Sequence, residues 1–192
     1  MTNEPNEQTE DDFDLDFTTL LDPGNIVPEP VATPQEEQAL NDEAVIGESK
    51  LNSNGFFVRI FPDAPSRTPV HSPPTVLVIE DDELTALLLE RILVKADYRV
   101  VRAANRAEIV EGFKAKPDLV LLDVQLPDAN GFDILNRIRS SGKMKNLPVL
   151  MLSSLGALED ILKGLKCGAN GYLTKPAKSQ ALISAIEAII FK

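Results

Sequence analysis

The chain has 192 residues, with 30 acidic and 19 basic side chains, one cysteine, one histidine and a formal net charge of −11. One cysteine cannot form an intrachain disulfide, and one cysteine with one histidine cannot build a Cys/His zinc site. The acidic balance, without a Lys/Arg cluster, argues against nonspecific nucleic-acid binding, and no apolar stretch approaches the ~18 residues that would cross a bilayer.

The charge is uneven. Residues 1–73 carry 15 acidic residues against 3 basic ones, a net of −12, whereas residues 74–192 carry 15 acidic and 16 basic, a net of +1. The first part is rich in Pro, Asn, Glu, Asp and Thr and has too little apolar surface to offset chain entropy, so residues 1–73 are expected to be a largely disordered acidic extension. Its polar start lacks the basic flank and apolar core of a signal peptide, and a cytoplasmic location is expected. Two apolar islands stand out within it. DDFDLDFTTLLD (11–22) mixes acids with Phe and Leu as a docking motif does, with a solvated acidic tail as the alternative, and GFFVRIFP (55–62) reads as a possible strand, with a stabilising extension packed on the following domain as the alternative. His71, in PVHSPP, reads as a solvated linker residue.

From residue 74 to 192 the pattern becomes short apolar runs alternating with helical periodicity. VLVI (76–79) is a strand, and ELTALLLERILVKA is a helix whose Leu84, Leu87, Leu88, Ile92 and Val94 are expected to form its buried face. YRVVRA is a second strand, followed by a helix with Ile109, Val110 and Phe113 inward and Pro117 as its stop. DLVLLD, LPVLMLS and GYLTKP are strands three to five, and FDILNRIR, ALEDILKGLKCG and AKSQALISAIEAIIF are the accompanying helices. Gly168 suits a helix C-terminus, and Cys167 and Met151 read as packing residues. Five alternating βα units predict a doubly wound α/β fold with a five-stranded parallel sheet.

In such a sheet ligands bind beyond the carboxyl ends of the strands. The first strand runs into Glu80, Asp81 and Asp82, the third ends in Asp123, the fourth in Ser153 and Ser154, and the fifth runs into Lys175 and Pro176. An Asp closing an apolar run would cost several kcal/mol if buried alone, so Asp123 must have partners. Clustered carboxylates repel one another unless a cation is present, and their hard oxygens suit Mg²⁺ or Mn²⁺. With Lys175 and a serine hydroxyl, the set describes a pocket for a phosphoryl group on a carboxylate. Each residue also has an ordinary structural reading: Asp123 as a turn residue, the acidic run as helix N-terminal charge, Lys175 as a surface lysine. Their joint placement at successive strand ends favours the pocket.

VLVIEDDE, LLDVQLPDANGFDIL, LMLSS and GANGYLTKP resemble, in order, four motifs of the CheY-like receiver domains of two-component response regulators. The resemblance spans residues 75–192 and implies a flavodoxin-like (βα)5 fold. It makes Asp123 the phosphoacceptor. Glu80, Asp81, Asp123 and the backbone carbonyl of Gln125 become ligands of Mg²⁺, with Mn²⁺ as an alternative, and Asp82 becomes a loop acid beside them. Ser153, Ser154 and Lys175 become phosphoryl-binding, Ser153 and Tyr172 the switch pair, and the Lys175–Pro176 peptide is expected to be cis. Ala177 departs from the aromatic residue common after Lys-Pro.

The resemblance also implies partners. A histidine kinase or histidine phosphotransfer protein would donate the phosphoryl group, and a downstream protein would bind the surface of the fourth helix, fifth strand and fifth helix. The chain would not be an enzyme beyond its own phosphotransfer and dephosphorylation. No DNA-binding output domain and no direct nucleic-acid contact are expected. A phosphorylation-independent receiver-like adaptor is the alternative. A haloacid-dehalogenase-like phosphatase would need an acid two positions after its nucleophile, where this chain has Gln125.

Overall fold

The computed structural model describes residues 58–60, 64–127, 129–154 and 158–191. The elements are β1 (Val58–Ile60), β2 (Thr75–Ile79), α1 (Glu83–Lys95), β3 (Arg99–Ala103), α2 (Arg106–Lys114), β4 (Leu119–Asp123), β5 (Gln125–Leu126), β6 (Ala129–Asn130), α3 (Gly131–Ser140), β7 (Val149–Ser153), α4 (Leu158–Lys166), β8 (Gly171–Thr174) and α5 (Ser179–Ile190). Strands β3, β2, β4, β7 and β8 lie side by side in that order, all parallel, with β1 added antiparallel at the β8 edge. The expected five-stranded doubly wound sheet is therefore present. Its strand order reverses between β2 and β4, which puts the crevice of such folds at their carboxyl ends.

Strands β2, β4 and β7 are buried along their full length, as central strands covered on both faces must be. One face packs α2, α3 and α4 through Ile109, Phe113, Phe132, Leu135, Ile138 and Ile161. The other packs α1 and α5 through Leu89, Leu93, Leu182, Ile186 and Ile189. In α1 the inward residues are Ala86, Leu89 and Leu93, while Ile92 is only partly buried. The expected inward face was wrong, because Leu84, Leu87, Leu88 and Val94 are exposed. The helix is apolar nearly all round, so periodicity alone offered two faces and packing on the sheet selected the other. Gly168, at φ +81°, closes α4 in the left-handed conformation that glycine adopts freely.

Part of the segment read as extension belongs to this fold. Val58–Ile60 pairs with Gly171–Leu173, placing Arg59 opposite Tyr172, and the GFFVRIFP island does contain a strand. Residues 64–74 then run along the amino ends of the parallel strands. There the buried carboxylate of Asp118 accepts from Val70 N (2.6 Å) and Thr75 N (2.8 Å) and meets His71 Nδ1 at 2.8 Å. Burial pushes Asp118 up, but these hydrogen bonds outweigh it and hold the carboxyl below its ordinary range. Reading His71 as a solvated linker residue was thus incorrect: it is half-buried and paired. Nearby, the Arg139 guanidinium donates to the carbonyls of Gly168 and Leu147 (both 2.7 Å) and to Asn170 Oδ1 (2.9 Å), and Asn170 Nδ2 donates to the Pro65 carbonyl (2.7 Å). The DDFDLDFTTLLD island and the expected disorder of residues 1–57 and 61–63 lie outside the described residues.

Candidate functional site

The carboxyl ends of β2, β4, β7 and β8 form one rim. Glu80 follows β2 directly, and its backbone N–H donates to the Ala103 carbonyl at 3.1 Å, so the residue continues the line of the strand into the rim. Asp123 is the last residue of β4, opposite Leu152 of β7. Lys175 follows β8, with its N–H donating to the Ser153 carbonyl at 2.7 Å and a cis peptide to Pro176, as expected.

These backbone anchors bring three charged side chains into contact. Lys175 Nζ lies 2.7 Å from Asp123 Oδ2 and 2.5 Å from Glu80 Oε2. Glu80, Asp81 and Asp123 each offer a carboxylate oxygen within 4.8 Å of the others, with Glu80 and Asp123 buried and Asp81 exposed. Burial pushes Glu80 up, and the charge of Asp123 adds to this against the pull of Lys175. Burial alone would depress Lys175, but hydrogen bonds to Asp123 and Glu80 outweigh it and raise the ammonium above its ordinary value. Three carboxylates thus face one ammonium, an excess of negative charge that a divalent cation would balance. The donor set is all hard oxygen with one exposed, accessible member, which fits Mg²⁺ or Mn²⁺ better than a softer metal.

Asp82 stands apart from this cluster. Its side chain accepts from Thr85 N at 2.7 Å and caps α1, a bond that holds its carboxyl below the ordinary range. Gln125 has an exposed side chain, and its N–H donates to Asp123 Oδ1 at 3.1 Å. Ser153 lies one residue beyond the Asp123–Leu152 pairing, buried on the same rim, and Ser154 is exposed. Tyr172 is wholly buried; its hydroxyl shares a hydrogen bond with Ser153, and burial raises it above the ordinary tyrosine value. The two residues expected to act as a pair are therefore in contact.

Two glycines matter to this geometry. A Cβ on Gly131 would lie 2.2 Å from the Asp123 carbonyl oxygen and 2.9 Å from Val124 Cα, so only glycine lets α3 start against the end of β4. A Cβ on Gly164 would meet the Tyr172 ring at 3.1 Å. The Asn-Gly step at 130–131 was a visible turn signal, but the close approach is visible only in three dimensions.

A family profile described as the response regulator receiver domain matches residues 76–187. Among curated proteins, the probable transcriptional regulatory protein SilR of Salmonella typhimurium is 39% identical over 116 residues, 60% of this chain and 50% of that protein. The DNA-binding dual master transcriptional regulator RpaA of Synechocystis is 34% identical over 124 residues, 61% of this chain and 49% of that protein. Among solved structures, a putative response regulator from Chloroflexus aurantiacus has a TM-score of 0.59 and 35% identity, with 62% of this chain and 98% of that one covered. The Vibrio cholerae chemotaxis protein CheY4 has a TM-score of 0.57 and 28% identity, with 60% and 98% covered.

The chain spans about half the length of the curated relatives it matches. Those relatives overturn the expectation of no DNA-binding output and no direct nucleic-acid contact, since several are transcriptional regulators and one is named as DNA-binding. The physical reason is that net charge and Lys/Arg clustering describe the surface that touches nucleic acid. They carry no information about a receiver that controls such a surface from a separate domain. Among the described residues no helix is long and apolar enough to cross a membrane.

Proposed function

Because the chain belongs to the response regulator receiver domain family, we propose that Asp123 accepts a phosphoryl group from a phosphohistidine on a histidine kinase or histidine phosphotransfer protein. The observation that carries this reading is Lys175 Nζ held 2.7 Å from Asp123 and 2.5 Å from Glu80 beside a three-carboxylate cluster. An ionised carboxylate is a competent nucleophile for phosphorus, and positioning with charge stabilisation supplies most of phosphoryl-transfer catalysis. In the transfer an Asp123 oxygen bonds to phosphorus while the P–N bond to the donor imidazole breaks and its electron pair returns to the ring. Glu80, Asp81, Asp123 and the Gln125 carbonyl would hold Mg²⁺ or Mn²⁺, which would neutralise charge on the transferring group.

The residues of the chain do the remaining work. The Gln125 N–H orients the Asp123 carboxylate through Oδ1, leaving the ammonium of Lys175 to pass from Oδ2 to a phosphoryl oxygen. Ser153 would exchange its bond with Tyr172 for one to the phosphoryl group, with Ser154 beside it. Transfer therefore alters a contact inside the core, where Tyr172 packs against Gly164 of α4. The chain acts as a stoichiometric acceptor in the cytoplasm that turns over only its own acyl phosphate, and its relatives favour transcriptional control as the output it serves.

Intact mass after incubation with Mg²⁺ and acetyl phosphate tests the reading, with Asp123→Asn alongside. One added phosphoryl group that requires both Mg²⁺ and Asp123 is expected. An adduct that survives Asp123→Asn, or none under any donor with metal bound, would overturn it.

A further inference from the structure

Four of the six large apolar side chains exposed among the described residues sit on α1: Leu84 (77% exposed), Leu87 (37%), Leu88 (52%) and Val94 (56%). Their spacing of i, i+3, i+4 and i+10 places them along one side of the helix, away from Ala86, Leu89 and Leu93 in the core. Exposed Arg91 and Lys95 continue the stripe toward its carboxyl end. The acids flanking it, Glu83 and Glu90, are both engaged by Arg102 of β3. Scattered apolar residues on a surface need no explanation, but a contiguous row on one helix marks an interaction site.

We propose that residues 11–22 of this same chain, DDFDLDFTTLLD, dock on the α1 stripe. Phe13, Phe17, Leu20 and Leu21 recur at i, i+4, i+7 and i+8, the spacing of anchors that a short helix lays into an apolar groove. Asp11, Asp12, Asp14 and Asp16 crowd the amino end of the segment, and docked antiparallel to α1 they meet Arg91 and Lys95. Reach is not limiting. The described chain begins at Val58 in β1, whose Ile60 packs in the same apolar layer as α1 and α5. The 35 residues between Asp22 and Val58 span about 30–35 Å as a random chain. That is comparable with the ~30 Å diameter of a small domain. Tethering at such lengths gives an effective concentration on the order of mM, so a weak motif suffices.

The test uses the full chain carrying Thr19→Cys labelled with a nitroxide, since Cys167 is buried and Thr19 lies away from the four anchors on a helical wheel. Amide NMR signals of residues 84–95 should lose most of their intensity at low protein concentration. The intensity should return in Phe13→Asp/Phe17→Asp and in Leu84→Ser/Leu88→Ser, the latter pair at exposed positions outside the core. Unbroadened α1 signals would overturn the proposal and leave the stripe to a separate protein. Broadening centred on another surface, persistence in both variants, or loss on dilution that signals contact between two copies would overturn it equally.

Discussion

Lys175→Met removes the ammonium that joins Glu80 and Asp123 while keeping most of the stem's volume. The carboxylate side chains are 1% and 6% exposed, so water does little to screen them once the lysine is gone. Removing one partner from a buried ion pair costs about 3–5 kcal/mol. Carboxylate oxygens within 4.8 Å of one another add repulsion of about 3 kcal/mol at an effective dielectric constant near 20. These costs do not sum, because one carboxyl can take a proton instead, so a net loss of about 3 kcal/mol at neutral pH is expected. With denaturant slopes of about 1–3 kcal/mol per M in urea, the unfolding midpoint of the metal-free variant falls by about 1–3 M relative to the native chain. Adding Mg²⁺ should recover more stability in the variant than in the native chain, since a cation bound only to the folded state stabilises by about 2.7 kcal/mol at 100 times its dissociation constant. A midpoint that is unchanged or raised would contradict this. It would mean that burying the lysine costs as much as its two contacts return.

Gly131→Ala forces a Cβ against the Asp123 carbonyl, and because the clash is with backbone, the end of β4 must shift. A loss of about 1–3 kcal/mol in urea unfolding is expected, together with slower adduct formation from acetyl phosphate, read as an initial rate. Asp118→Asn should cost about 2–3 kcal/mol at neutral pH through weakened charge-assisted bonds to Val70, His71 and Thr75. Because the folded carboxyl of Asp118 is held below its ordinary 3.8, this stability is present above that value and is lost as pH falls through the folded value. Unfolding curves of the two forms should therefore converge in acid. Asp82→Ala should fray the first turn of α1, seen as faster amide exchange at Thr85, yet leave phosphoryl uptake intact because Asp82 serves the helix rather than the cluster.

The parallel sheet and the charged rim were legible because both depend on local pattern. Apolar runs alternating with helical stretches dictate βα units, and carboxylates after strands one and three must meet in such a sheet. What escaped depends on pairings distant in sequence. Nothing near residue 58 says that its strand will join Gly171–Leu173, and Asp118 looks like the polar start of a strand until Val70, His71 and Thr75 are seen to converge on it. The inward face of α1 was misjudged for a related reason. Leucines on both sides of that helix satisfied either solution, and the second set of leucines is what leaves a stripe exposed. Asp82 was ambiguous because an acid at a helix start suits a cap and a metal shell equally, and only its bond to Thr85 separates the two.

The most direct test of the central claim is to locate the modification. The native chain would be phosphorylated with acetyl phosphate and Mg²⁺, reduced with borohydride and digested, and the reduced residue identified by peptide sequencing in a mass spectrometer. An aspartyl phosphate at the end of β4 gives homoserine at position 123 and at no other position. Reduction at position 80, 81 or 82, or a phosphoryl group that resists borohydride and maps elsewhere, would contradict the assignment of Asp123 as the acceptor.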